Sequence, residues 1–267
     1  MHSDNHTSLD IRCDNSYLIT EIRESDVMVI LILDFGHHVG MAVNDFFTHS
    51  GLHEASKIII CDASRRKTLG GIQPELPTFE HLVKHLRLIL SRHPHKKVYV
   101  TGSSGGGHPA ILLGHLLKAD QVVAFCPYPY ISKAKLLEMK DHARVSMGRV
   151  LEKIHDLPSE IHAYFDLGDV LADWNGVTEY HVHVSKFNIR EYNRSSYLCG
   201  LPKMNVIAHP FNSHAVVLLL HKHFDLKDCF IFPYKKRHKF KRIALYLKHR
   251  KERLLKSRDS KDKKRLS

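Results

Sequence analysis

The sequence predicts an α/β fold, a mostly parallel sheet flanked by helices, with a basic C-terminal tail. Three observations carry that expectation. The run Val27 to Asp34 is continuously apolar up to its last residue, as expected for a parallel strand covered on both faces. Short runs of the same kind recur at Lys57 to Asp62, Lys97 to Thr101 and Gln121 to Pro127, separated by segments with helical spacing, and this alternation reads as βαβ units. Finally, Lys97 to Leu113 reads as strand, sharp turn and helix, with Gly102-x-Ser104-x-Gly106 at the turn.

The turn sets the chemistry. A nucleophilic serine at such an elbow sits in a strained backbone conformation, and small neighbours let strand and helix approach closely enough to hold it. Ser104 is therefore the candidate nucleophile. The bland alternative is a glycine-rich turn that cradles a phosphate or merely connects two elements.

Along the chain, residues 1–26 read as an N-terminal extension or edge strand, with a strand or hairpin near Tyr17 to Ile22. The loop Phe35-Gly36-His37-His38-Val39-Gly40 follows the first strong strand. Backbone N–H groups of Phe35 or Gly36 are expected to join that of Gly105, the residue after the nucleophile, in an oxyanion hole. The segment Ala63 to Pro77, rich in Arg, Lys, Gly and Pro, is expected to wall the cleft, because loops leaving the carboxyl ends of parallel strands surround a ligand. Phe79 to Ser91 carries an amphipathic helix pattern. Tyr128 to Leu157 is a charged helical insertion, either a small cap or a plain crossover.

The segment Ile161 to Asp173 reads as a strand ending in glycine and carboxylates, and Asp166, Asp169 and Asp173 compete for the acid that orients a histidine. Turn residue and helix cap are the commoner roles for each. The last strand of the body is expected at Met204 to Ala208. His214, on the loop before an apolar helix, completes the chain order serine, acid, histidine; His37, His108 and His209 are its competitors among 23 histidines.

Net charge is +12, but it is concentrated. Residues 235–267 hold sixteen of the 40 Lys and Arg and three acids, which leaves the body, 27–234, near neutral. A basic amphipathic helix is expected from Lys239 to Leu255, with a disordered end after it. Five cysteines, odd in number and without paired spacing, read as reduced residues of a cytoplasmic protein. The first residues carry no signal-peptide pattern, and no apolar run has the length of a membrane span.

Taken together, Val27-Met28-Val29-Ile30, Thr101-Gly102-Ser103-Ser104-Gly105-Gly106-Gly107, Val123-Ala124-Phe125-Cys126-Pro127 and Asn212-Ser213-His214-Ala215 resemble a group of bacterial α/β-hydrolase-like proteins found alongside surface-polysaccharide and glycosyltransferase genes. The resemblance runs from about Val27 to Phe224. It implies the serine role for Ser104, the histidine role for His214 and, from an aspartate placed just before a helix, the acid role for Asp173 rather than Asp169. Two departures bear on the substrate: Gly36-His37-His38 lacks the usual serine and arginine, and His108 replaces an aromatic or small residue.

The expected function is a serine acyl hydrolase of carboxylesterase type, or an acyltransferase, with a Ser-His-Asp triad and no metal or organic cofactor. Its substrate would be a small-molecule, glycan or lipid-linked acyl ester. The rival readings are a catalytically inactive binding or scaffold protein in glycan biosynthesis, and a nucleic-acid-binding protein led by the tail. The tail fits an anionic membrane surface better than nucleic acid, because it has few aromatic residues for base stacking; peripheral attachment at the inner membrane is the corresponding expectation.

Overall fold

A computed structural model describes residues 8–13, 16–33, 36–72, 74–141, 145–231 and 240–252. One eight-stranded sheet organises them. Its strands are β1 (Ser8–Cys13), β2 (Ser16–Glu21), β3 (Val27–Leu33), β4 (Ser56–Cys61), β5 (Lys97–Ser103), β6 (Gln121–Phe125), β7 (Glu179–Ser185) and β8 (Met204–His209). Their spatial order is β1-β2-β4-β3-β5-β6-β7-β8. From β4 through β8 every pairing is parallel, whereas β1 with β2 and β2 with β4 are antiparallel. The hairpin expected near Tyr17 thus supplies β2, which lies inside the sheet with β1 outside it.

Among the described residues, seven helices lie between the strands, α1 (Val43–Ser50), α2 (Phe79–Arg92), α3 (Gly107–Leu116), α4 (Lys133–Glu138), α5 (Val145–Ile154), α6 (Leu167–Ala172) and α7 (Ile189–Ser196), and α8 (Val216–His223) follows the last strand. They cover both faces of the sheet. One core packs Met28, Ile30 and Ile32 of β3 against α2 and α3, and the other packs Val29, Leu31 and Leu33 against Phe46, Phe47, Val217 and Leu220 of α1 and α8. Alternate β3 side chains feed opposite cores, so the whole strand is apolar.

Two expectations change. Ile161 to Phe165 is not a strand: Ser159–Tyr164 is a 3₁₀ helix leading into α6. The strand that neighbours β6 is instead β7, which alternates Tyr180, Val182 and Val184 in one core with buried His181 and His183 on the other face. The insertion expected at Tyr128 to Leu157 holds α4 and α5, and the 3₁₀ helix and α6 follow it before β7.

In the tail, residues 240–252 are helical, inside the expected Lys239 to Leu255; the stretch after Lys256 lies outside the described residues. No helix among the described residues is long and apolar enough to cross a membrane.

Candidate active site

Chain order reverses direction in the sheet at β3: β4 pairs with one of its edges and β5 with the other. The loops leaving the carboxyl ends of β3 and β5 diverge there, which opens a crevice. Ser104 occupies the turn after β5 with φ 52, the left-handed region that few non-glycine residues adopt. The glycines on either side have a steric reason. A Cβ on Gly102 would stand 2.3 Å from the Gly106 carbonyl oxygen, and one on Gly106 would stand 2.2 Å from that of Ile32. Only glycine lets the elbow fold back onto β3.

His214 lies on the loop between β8 and α8, and its Nε2 is 2.7 Å from Ser104 Oγ. Its Nδ1 is 2.5 Å from Glu191 Oε1. A carboxylate only accepts, so Nδ1–H donates to Glu191 and Nε2 is left to accept the Ser104 proton. Glu191 is 3% exposed and His214 35%, so the relay runs from a buried acid to an accessible serine.

Glu191 sits in the first turn of α7, where the helix dipole favours a carboxylate. The helix is itself pinned. Arg194, one turn on, donates from Nε and an Nη to both Asp141 oxygens at 2.6 and 2.8 Å, and its guanidinium lies 4.4 Å from the Tyr128 ring centre. Asp141 closes α4, so the insertion anchors the acid-bearing helix.

This geometry corrects the acid. Asp173 is exposed at the C-terminal end of α6, and its charge acts on His115 at the far end of α3, roughly 12 Å along that helix from the elbow. Asp169 is exposed in the first turn of α6. Asp166 caps α6 by accepting from Gly168 N–H at 2.8 Å, and also receives the Tyr197 hydroxyl. None of the three meets His214. The penultimate strand is β7, and the carboxylate that follows it and reaches His214 is Glu191.

The competing histidines are engaged elsewhere. His108 is fully buried, with its two nitrogens 2.8 and 3.0 Å from the carbonyls of Tyr128 and Tyr164; burial depresses its pKa to about 4. His209 pairs with His183 at 2.9 Å, and His37 stacks on Tyr17.

Gly105 follows Ser104 and is buried. Its carbonyl accepts from Lys67 Nζ at 2.8 Å, which brings the loop after β4 onto the elbow as expected of a cleft wall. In that loop Arg65, Lys67 and Thr68 all have positive φ, and Asp62 holds it by accepting from Ser64 and Thr68 N–H. Gly36 opens the exposed loop after β3, while Phe35 lies outside the described residues. The same loop brings Gly40, at φ +90, up to the elbow: its Cβ position is 3.9 Å from Ser103 Oγ.

Among the described residues, one group has ligand atoms close enough to hold a metal: Cys126, Glu191 and His214. A metal needs the thiolate, but burial, followed by the Glu191 charge, pushes the Cys126 thiol well up. Both His214 nitrogens are also committed to the relay. The donor set fits a hydrogen-bonded acid–base pair better than a metal centre.

No protein-family model matches the chain, and no curated protein sequence matches it either. Solved structures do share its fold. A fluorophosphonate-binding serine hydrolase of Staphylococcus aureus aligns with TM-score 0.53 and 11% identity, over 81% of this chain and 95% of that one. Carboxyl esterase 2 of the fungus Tuber melanosporum gives 0.52 and 13%, over 91% and 86%. The capsule O-acetyltransferase of Neisseria meningitidis serogroup A gives 0.51 and 11%, over 80% and 90%. The chain has the α/β-hydrolase fold.

Proposed function

We propose that the chain is a serine-nucleophile ester hydrolase working through Ser104, His214 and Glu191. The observation that carries this reading is the continuous relay Ser104 Oγ to His214 Nε2, and His214 Nδ1 to Glu191 Oε1, at 2.7 and 2.5 Å. Chain order is serine, acid, histidine, the order of this fold, with glutamate as the acid.

Ser104 Oγ attacks the acyl carbon as its proton passes to His214 Nε2. The tetrahedral oxyanion is met by the backbone N–H of Gly105 and by one from the Gly36–Gly40 loop, with the Lys67 ammonium adding positive charge beside Gly105. Collapse breaks the bond to the leaving oxygen, and His214 delivers the proton to it. Water, deprotonated by the same imidazole, then cleaves the acyl-serine and restores the hydroxyl. Glu191 holds the tautomer and offsets the imidazolium charge that forms in each half. Every step is a proton transfer or an acyl transfer, and these groups supply both without a cofactor.

Transfer to an acceptor alcohol would use the same acyl-serine. The structural neighbours include both esterases and an O-acetyltransferase, so they favour neither acceptor.

A fluorophosphonate probe tests the reading. Wild type is expected to label and to hydrolyse short p-nitrophenyl esters, and Ser104→Ala to lose both while its circular dichroism stays unchanged. Equal labelling of the two proteins would remove Ser104 as the nucleophile, and no labelling of either would favour a fold kept for binding alone. Burst kinetics with an added alcohol then separates transfer from hydrolysis.

A further inference from the structure

The tail helix, 240–252, has two differently occupied faces. At 3.6 residues per turn, Arg242, Leu245, Tyr246 and His249 share one side, and Phe240, Ile243 and Leu247 the other. The first side is docked. The Arg242 guanidinium lies 4.2 Å from the Phe224 ring centre, with an Nη 3.1 Å from His209 Nδ1; Leu245 packs on the core under α1 and α8; Tyr246 and His249 meet the Phe187 ring at 5.3 and 5.9 Å. The opposite side is open: Phe240 is 87% exposed, Leu247 57% and Ile243 45%.

All three are exposed large apolar side chains, and they form one stripe. Basic residues flank it, Lys241 and Lys248 on one side and Arg250 on the other, with Lys251 in line and Glu252 the sole acid of the helix. Lys186 is also drawn to this helix, 5.1 Å from the Tyr246 ring centre. A helix pinned by one face does not need a second apolar stripe to fold. A stripe with a rim of one charge sign is the form of a surface that enters the interfacial layer of an anionic bilayer. Nucleic acid would use the charge but leave Ile243 and Leu247 without a role, since stacking needs aromatic faces.

We propose that the outer face of the tail helix docks on an anionic lipid surface, with Phe240, Ile243 and Leu247 inserted at the headgroup boundary and the flanking Lys and Arg on lipid phosphates. The docked face meets the protein at the carboxyl ends of β7 and β8. Phe187 stands four residues before Glu191, and His209 five before His214. The helix that meets lipid therefore braces the entry to α7, which carries Glu191, and the strand end before the loop that carries His214.

The full chain is tested by co-sedimentation with vesicles of phosphatidylcholine alone and of phosphatidylcholine mixed with phosphatidylglycerol, at low and high salt. Binding is expected only with phosphatidylglycerol present, and should weaken with salt, since each basic side chain near such a surface adds roughly fivefold. The pair Phe240→Asp and Leu247→Asp should lower it at least about tenfold, while circular dichroism and the thermal midpoint, which report the fold, stay unchanged. Undiminished binding of the double variant would show charge alone at work and overturn the proposal. Absence of binding to either vesicle would also overturn it, as would a homopolymeric RNA that displaces the protein from the mixed vesicles. The outcome does not depend on turnover, so the proposed enzymatic role fails or stands separately.

Discussion

Glu191 has no signature of its own. One glutamate among the chain's 28 acidic residues, in a polar stretch Ile189-Arg190-Glu191-Tyr192-Asn193, it becomes an acid partner only because β7 ends beside β8 and α7 turns it toward the loop that carries His214. The assignment separates cleanly by mutation. Glu191→Gln keeps the shape but allows the wrong His214 tautomer, and turnover is expected to fall on the order of 10⁴-fold. Asp173→Asn, which touches only the surroundings of His115, is expected to change turnover less than about twofold, within the range of surface substitutions. Steady-state rates on one ester decide it; a large loss for Asp173→Asn with little for Glu191→Gln would return the acid role to Asp173. Cys126 belongs to the same neighbourhood: its thiol, pushed up by burial and then by Glu191, remains protonated as a neutral neighbour of the acid.

At the level of elements, the strand β7 and the insertion after β6 explain how the acid is held. β7 escapes a reading based on continuous apolar runs because His181 and His183 interrupt it, although Tyr180, Val182 and Val184 keep period two. Burial lowers both imidazoles, His181 to about 4, and neutral rings pack in a core as apolar residues do. The insertion, expected as a cap or crossover, anchors α7 through Asp141 and Arg194. Asp141→Ala would leave the Arg194 charge buried without its partner, at a cost of about 3 to 5 kcal/mol. Urea unfolding should show that loss, and the surviving folded protein should turn over more slowly because α7 no longer fixes Glu191. A stability equal to wild type would mean that Tyr128 and solvent suffice for Arg194.

For the molecule as a whole, buried histidines set the acid limit of stability. His108 and His181 titrate near 4 when folded and near 6.5 when unfolded, burial being the first cause for each. Below pH 6.5 the unfolded chain therefore binds more protons than the folded one, so stability is fully present above 6.5 and falls as pH drops toward about 4. The loss is on the order of 3 kcal/mol for the fully buried His108. Thermal melts at pH 7.5, 6 and 5 should show a falling midpoint, and His108→Gln should flatten the slope; a midpoint independent of pH across that window would contradict it.

The sequence by itself determined the α/β class, the elbow and the histidine loop. Their marks are local: an apolar run marks a buried strand, and the Gly-x-Ser-x-Gly spacing marks the elbow, although the clash that requires Gly106 is with the neighbouring strand β3. The loop containing Gly36 follows β3 as expected, and the tail helix lies where basic and apolar residues share a helical period. Only the tertiary structure brought a carboxylate to His214, and the one it brought is Glu191 rather than Asp173. It also decided that one face of the tail helix is docked while the other remains open. Both depend on which distant segments become neighbours. A carboxylate finds its imidazole through strand order, and a helix face is buried or bare according to what packs beside it; no spacing within the chain records either.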